Sequence, residues 1–236
     1  MNYLVVDFLN FLQQQAFNIN DVNSSNLTLD IHCGVPQNFH TKFTENLVNS
    51  YNELQRPLII VEIGSCTGFT ACSIASMTKR YNIPCKMICI DTCSGTSECL
   101  NPSIIEINED GSLNFNKEYS QEYPQLYRTF LNNVIIENNT DIIRPLPVSS
   151  NDAFKILKYY NIKADIVYID GSQDYTSVYN DLSNYYELLH NNGYIFGSNY
   201  SDDNEGIKTA VDNFTQAINI NKTIDDILWI IKKPIN

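Results

Sequence analysis

The chain has 236 residues, enough for one domain with a sizeable core, and 43% of them are hydrophobic, as is usual in globular proteins. Its formal net charge of −12 argues against nucleic acid or an anionic membrane as a partner, because both are attracted by positive fields. Seven cysteines without zinc-site spacing, and an N-terminus without a basic leader region, predict a reducing, cytoplasmic location.

Hydrophobic periodicity predicts two N-terminal helices, over residues 2–16 and 38–55, separated by a polar stretch. Beyond residue 56, strands and helices alternate. The predicted strands cover residues 58–63, 86–91, 141–146, 164–170, 193–197 and 227–231. The predicted helices cover residues 67–80, 120–137, 150–160, 175–189 and 205–218. Residues 93–118 show no clear period, and we expect a long functional or mobile loop there.

This alternation predicts an α/β fold, in which a mostly parallel sheet carries helices on both faces. We expect residues 1–55 to form a helical cap or lid. Residues 56–236 show no linker or internal repeat, so we expect them to form one compact α/β domain.

The first predicted strand, residues 58–63, leads into a glycine-containing turn. It is apolar except for Glu62, and Gly64 and Gly68 follow before a helix-like run. A glycine at the end of a buried strand lets a ligand approach the backbone, and the next helix directs its N–H groups to the same place. The motif lacks the middle glycine that admits a dinucleotide pyrophosphate, which argues against NAD. A strand–turn–helix without a ligand is the alternative.

Polar residues follow the other predicted strands where these strands end. They are Asp91 and Thr92, Ser149 and Ser150, residues 170–174, and residues 198–203. In an open parallel sheet, ligands bind at the carboxyl ends of the strands, so we expect these residues to share one site. Asp91 lies 23 residues after Gly68, a spacing suited to an acid that accepts the hydroxyls of a ribose. An aspartate that only caps the following turn is the alternative.

Two longer motifs carry a family resemblance. Residues 164–182 read Ala-Asp-Ile-Val-Tyr-Ile-Asp-Gly-Ser-Gln-Asp-Tyr-Thr-Ser-Val-Tyr-Asn-Asp-Leu, and residues 188–200 read Leu-Leu-His-Asn-Asn-Gly-Tyr-Ile-Phe-Gly-Ser-Asn-Tyr. With the glycine turn, they resemble class I S-adenosylmethionine (SAM) methyltransferases, in the subgroup that includes small-molecule and sugar O-methyltransferases. The resemblance implies a Rossmann-like, doubly wound, mostly parallel seven-stranded sheet, and SAM as the cofactor.

The resemblance also implies roles for individual residues in a SAM site. The methionine end of SAM would be lined by Glu62, Gly64, Ser65 and Gly68. The ribose would be held by Asp91, with Thr92 beside it, and the adenine would be bordered by Ser150. Asp170 would lie near the reactive methyl group, where it would contact the cofactor and also act as a catalytic residue together with Asn199.

The departures from the family pattern concern a metal site. Many members hold a divalent metal with the acid matching Asp170 and a pair of aspartates, and Ser198-Asn199 replaces that pair here. A hard cation needs several charged oxygen ligands, so we expect no functional metal unless Asp202 or Asp203 substitutes. Proton removal from the acceptor then falls to a side chain. Asp170 is the leading candidate, and His32 and His40 are alternatives.

The sequence therefore predicts a cytoplasmic SAM-dependent methyltransferase that methylates a hydroxyl of a small acceptor such as a sugar. The main alternative is a non-catalytic SAM-binding or scaffold protein with degenerate metal and base sites. Another nucleotide-using α/β enzyme is a third. We expect no nucleic-acid or membrane partner, and self-association into a homo-oligomer stays open.

Overall fold

The computed structural model describes residues 3–17, 38–93, 105–107, 113–115 and 125–235. The helices are α1 (Tyr3–Phe17), α2 (Phe39–Leu54), α3 (Phe69–Arg80), α4 (Gln125–Ile136), α5 (Ser150–Tyr159), α6 (Tyr175–Leu188) and α7 (Glu205–Ala217). The strands are β1 (Leu58–Ile63), β2 (Cys85–Ile90), β3 (Ile105–Ile107), β4 (Leu113–Phe115), β5 (Ile143–Leu146), β6 (Ala164–Ile169), β7 (Leu189–Gly197), β8 (Lys222–Asp225) and β9 (Leu228–Lys232).

Seven strands form one sheet in the order β5-β2-β1-β6-β7-β9-β8. The pairs among β5, β2, β1, β6 and β7 are parallel, and β9 runs antiparallel to both of its neighbours. The strand order reverses between β1 and β6, so a crevice opens at their carboxyl ends. The sheet confirms the predicted Rossmann-like, mostly parallel seven-stranded architecture.

Helices cover both faces of the sheet and bury a separate apolar core on each. Helices α1, α5, α6 and α7 pack on one face, and α2, α3 and α4 pack on the other. Helix α2 buries Phe39, Phe43 and Leu47 completely. Both N-terminal helices thus belong to the helical layers that cover the sheet. That residues 1–55 act as a cap or lid stays a prediction.

Strand β5 lies at one edge of the sheet, and hydrogen bonds connect it to α1. It has four residues, one of which is Pro145, and its Arg144 side chain is only 1% exposed. The Arg144 guanidinium donates to the Gln13 side chain at 2.8 Å, and Gln13 donates to the Thr140 carbonyl at 3.0 Å. This network fixes the position of α1 on the outer end of the sheet.

Several segments differ from the sequence-based expectation. Strand β8 was not predicted, because its residues are exposed or half-buried and show no apolar alternation. Residues 93–118, expected to be a loop, contain the antiparallel pair β3 and β4. Two parts of the prediction lie outside the described residues. They are the polar, loop-like stretch 19–37 between the two N-terminal helices, which includes His32, and the first residues of the predicted helix at 120–137.

Two further sequence-based expectations concern the cysteines and membrane association. The described cysteines are free thiols: Cys66, Cys72, Cys85, Cys89 and Cys93. Among the described helices, none combines the length and apolar character that crossing a bilayer requires.

Candidate active site

The turn after β1 brings the strand end against the loop after β6. Gly64 has a φ of +85°, and its N–H donates to the Ile90 carbonyl at 2.8 Å. A Cβ atom at Gly64 would lie 2.4 Å from the Asp170 carbonyl oxygen. A side chain at Gly64 would therefore push the loops after β1 and β6 apart.

A glycine occupies position 68 for a different structural reason. It has a φ of +83°, and a Cβ atom there would lie 2.9 Å from the ring of Phe130 on α4. Gly68 therefore permits close packing of the turn against α4. It does not line the cavity described below.

Asp91 joins the glycine turn to the loop after β2. Its carboxylate accepts hydrogen bonds from the backbone N–H of Cys66 at 2.9 Å and from that of Cys93 at 2.7 Å. The bond from Cys93 is the turn cap that we considered as the alternative to a ribose contact. Through the bond from Cys66, the same carboxylate also holds the glycine turn after β1. Asp91 and Thr92 also line the cavity, so both remain candidates for a ribose contact.

Glu62 is a fully buried carboxylic acid under the glycine turn. Burial raises its pKa from 4.5 to about 8, the charges of Asp170 and Asp91 add to the shift, and the nearby Ser65 and Cys89 side chains oppose it. Neither carboxyl oxygen has a hydrogen-bond partner among the described residues, and the same is true of the buried Ser65 and Thr67 hydroxyls. Buried polar groups are usually hydrogen-bonded, and of these three residues Ser65 lines the cavity described below, so its hydroxyl is placed to contact a bound ligand.

Asp170 lies at the end of β6, next to the first residue after β7. The Ser198 hydroxyl donates to the Asp170 carboxylate at 2.6 Å, and the Trp229 indole N–H donates to the Ser198 carbonyl at 3.2 Å. Burial raises the pKa of Asp170, and the hydroxyls of Ser198 and Tyr168 oppose this shift. A carboxylate whose pKa is raised by burial and that contacts a cavity is suited to act as a general base.

The loop after β7 carries the residues that were considered for a metal. Asn199 has a φ of +59° and lines the cavity beside Asp170. Asp202 forms an ion pair with Lys208 at 2.8 Å, its side chain is 92% exposed, and Asp203 is also exposed. Neither of these two acids lines the cavity. Within the described ranges, no group of three or more His, Cys, Asp or Glu side chains has the arrangement to hold a metal ion.

A cavity of about 750 Å³ connects these residues at the carboxyl ends of β1, β2, β5, β6 and β7. Among the predicted site residues, it brings together Gly64, Ser65, Asp91, Thr92, Ser150, Asp170 and Asn199. Glu62 lies beneath the turn and Gly68 lies behind it, so neither is part of the wall. His40, considered as a base, is hydrogen-bonded to the Ser73 hydroxyl at 2.6 Å and does not line the cavity.

Sequence reasoning did not assign several residues of the cavity wall. They include Phe69, Leu126, Val148, Val178, Asp181 and Trp229. The apolar members belong to patterns that predict a core. Asp181 lies at a position of α6 that the helical spacing from Val178 would have placed on the inner face.

The fold and this crevice define a class I, SAM-dependent methyltransferase. A family model described as "Methyltransferase domain" matches residues 61–200. The chain belongs to this methyltransferase family and is an enzyme of the SAM-dependent class. No curated protein sequence matches the chain significantly.

Solved structures share the fold over almost the whole chain, at low sequence identity. The O-methyltransferase NovP superposes with a TM-score of 0.63 at 14% identity, covering 98% of this chain and 99% of its own. The calicheamicin methyltransferase CalS11 gives 0.55 at 12% identity, covering 98% and 93%. An O-methyltransferase from Bacillus cereus, solved with S-adenosylhomocysteine (SAH), gives 0.51 at 13% identity, covering 96% and 91%.

Proposed function

We propose that this methyltransferase transfers the methyl group of SAM to a hydroxyl of a small acceptor, such as a sugar, and that it does so without a divalent metal. The observation that carries the proposal is the Asp170–Ser198 pair at the cavity wall, with Asn199 beside it. Solved O-methyltransferases with the same fold agree with oxygen as the acceptor atom.

The residues around the glycine turn fit the methionine end of SAM. Of the polar groups buried without partners around the turn, the Ser65 hydroxyl lines the cavity, where the ammonium and carboxylate of a ligand would supply partners for it. The Glu62 carboxyl and the Thr67 hydroxyl lie outside the wall, so on this proposal they reach that ligand only after a shift of the turn. The close approach of Gly64 to the Asp170 backbone keeps the floor of the cavity free of side chains. On this proposal Asp91 and Thr92 hold the ribose, and Ser150 borders the adenine.

Bound SAM supplies an electrophilic methyl group. The protein has to orient the acceptor hydroxyl and remove its proton. Asp170 is the proposed general base, because its pKa is raised by burial and it contacts the cavity. The Ser198 hydroxyl donates to one oxygen of Asp170, and the other oxygen is proposed to accept the proton. The Asn199 side chain, on the same wall, is proposed to orient the acceptor.

The oxygen atoms near Asp170 that could bind a metal are the reason to propose metal-independent transfer. Ser198 and Asn199 contribute neutral oxygens where the metal-using relatives have two carboxylates, and hard cations are held mainly by charged oxygen ligands. We also propose a cytoplasmic location, which the free thiols of the five described cysteines support.

Methyl transfer to a panel of hydroxylated acceptors, with EDTA and then with added Mg²⁺, tests the proposal. We expect equal rates in the two conditions. Asp170→Asn should lower kcat by about 10²–10⁴-fold, the usual contribution of a general base, and should change the Kd of SAH only modestly. Activity that is lost in EDTA and restored by Mg²⁺ would overturn the metal-independent mechanism. Binding of SAH without turnover on any acceptor would favour a non-catalytic SAM-binding protein.

A further inference from the structure

The ionisable side chains on the cavity wall have one sign of charge. Asp91, Asp170 and Asp181 line the cavity, and within the described ranges no Lys, Arg or His side chain does so. Burial raises the pKa of Asp170 and that of Asp181, the latter to about 6, so Asp181 is mostly ionised at pH 7. Because water screens a buried charge poorly, these carboxylates repel an anion that enters the cavity.

The helices that follow β5, β6 and β7 each carry an acid at the N-terminus. A helix N-terminus at this edge of a sheet is the usual place for a phosphate, and each of these helices contributes to the cavity wall. Asp152 lies in the first turn of α5, and Glu205 lies in the first turn of α7. Asp174 caps α6 and accepts from the Ser177 N–H at 3.0 Å. A phosphate at any of these three N-termini would face a carboxylate of the protein itself.

Helix α3 differs from these three helices. Its first turn contains no acid, and its first two residues, Phe69 and Thr70, line the cavity. This N-terminus adjoins the glycine turn, where the methionine end of SAM is proposed to bind. Of the four helices, the one that is open to an anion is therefore the one assigned to the carboxylate of the cofactor.

The wall around Asp170 offers uncharged hydrogen-bonding groups. Ser172, Gln173 and Asn199 line the cavity there. Side-chain amides and hydroxyls both donate and accept hydrogen bonds, and so do the hydroxyls of a sugar. The acceptor side of the cavity thus suits hydroxyl groups and provides no positive charge for a phosphate.

We infer that the acceptor is an uncharged sugar or glycoside, and that the site rejects the phosphorylated and nucleotide-linked forms of the same sugar. This inference rests on the proposed function and specifies its substrate class. It places methylation after any step that removes the nucleotide from the sugar, because a nucleoside diphosphate would bring two negative charges to the acidic wall.

The test compares matched acceptors in methyl transfer at low ionic strength. They are the methyl glycosides of a set of hexoses, the corresponding hexose 6-phosphates and the corresponding nucleoside diphosphate hexoses. We expect kcat/KM to be on the order of 10²-fold higher for a methyl glycoside than for its charged counterparts, because like charges at a binding site cost several kcal/mol. Added salt should reduce this ratio.

A pair of variants tests whether charge is the cause. Gln173→Lys places an ammonium group on the cavity wall and should reduce the preference for the uncharged acceptor about tenfold. Gln216→Lys is the matched control, because Gln216 is exposed on α7 and does not line the cavity. It should keep the wild-type preference. An unchanged preference in Gln173→Lys would contradict the electrostatic argument.

The outcomes separate the inference from the proposed function. A phosphorylated or nucleotide-linked hexose that reacts as fast as its methyl glycoside overturns the inference and leaves methyl transfer to a hydroxyl standing. If no hexose reacts, calorimetric titration of the same compounds into SAH-saturated protein decides. Tighter binding of the methyl glycoside supports the inference, whereas tighter or equal binding of a charged form, or binding of neither, overturns it. Protein that does not bind SAH contradicts the proposed function itself.

Discussion

Replacing the buried acid Glu62 by glutamine should stabilise the protein in a pH-dependent way. The folded-state pKa is about 8 and the ordinary value is 4.5, a difference of about 3.5 units. Below pH 4.5 both states are protonated, so Glu62 costs no stability. As the pH rises from 4.5 to 8, the unfolded chain releases the proton while the folded protein keeps it, and stability falls.

The size of this penalty follows from about 1.4 kcal/mol per pKa unit. It is roughly 3 kcal/mol at pH 7 and about 5 kcal/mol above pH 8. Glu62→Gln keeps the size of the side chain and removes the ionisation, so its gain should be near zero at pH 4.5 and largest above pH 8. For a domain of this length, the gain at pH 7 corresponds to about 6–12 °C in Tm.

Denaturant unfolding of the two proteins at pH 5 and pH 8 measures the effect. Glu53→Gln is the control, because it removes the same charge from an exposed position of α2. If Glu62→Gln and wild type are equally stable at pH 8, the reasoning is refuted. A less stable variant would mean that ionised Glu62 makes favourable contacts in the ligand-free protein. Glu62 lies outside the cavity wall, so it acts on the ligand only if the turn shifts on binding. In that case Glu62→Gln should bind SAH more weakly, and the proton release on binding, measured in buffers of different ionisation enthalpy, should disappear.

Three further substitutions test separate features. Ser198→Ala should move the acidic limb of the kcat/KM profile to higher pH, because losing the Ser198 hydroxyl raises the pKa of Asp170 further; an unchanged profile would contradict Asp170 as the base. Asp91→Ala should weaken SAH binding and lower the Tm, since hydrogen bonds to a charged acceptor contribute roughly 1.5–3 kcal/mol each and two backbone donors would lose theirs; unchanged SAH affinity would place the ribose elsewhere. Arg56→Ala should destabilise the protein by about 3 kcal/mol, the low end for breaking a buried pair because Arg56 is itself 38% exposed, since it leaves the buried carboxylate of Asp165 without its bidentate partner. Lys158→Ala, which breaks an exposed ion pair with Glu187, is the control for that variant and should unfold at nearly the wild-type denaturant concentration.

The central strands could be predicted from sequence because buried parallel strands are short, continuous apolar runs. All six residues of β1 and of β6 are buried, and both strands lie where the pattern placed them. Strand β8 could not be predicted in this way. Its four residues are exposed or half-buried, and its position is determined by pairing with β9. Long-range pairing of this kind leaves no periodic signal in a single sequence.

The candidate site could also be predicted only in part from the sequence. The ends of the parallel strands lie at one edge of the sheet, so Asp91, Ser150 and Asp170 could be placed in one cavity from sequence. The need for a glycine at position 64 could not be foreseen, because it depends on the backbone of the loop after β6, more than 100 residues later. The helical spacing from Val178 places Asp181 on the inner face of α6, but its contact with the cavity depends on the packing of α6 on α5, which a single sequence does not show.

The two edges of the sheet have a consequence for self-association. An exposed edge strand offers free N–H and C=O groups that invite another chain to extend the sheet, and natural proteins block this with short strands, proline and charged residues. Strand β5 combines all three devices in four residues, with Pro145 and the inward-facing Arg144. At the other edge, β8 is also four residues long, and its first and last residues, Lys222 and Asp225, are charged. A continuous intermolecular sheet is therefore disfavoured at both ends, and two copies of this chain are not expected to join through the edges of the seven-stranded sheet.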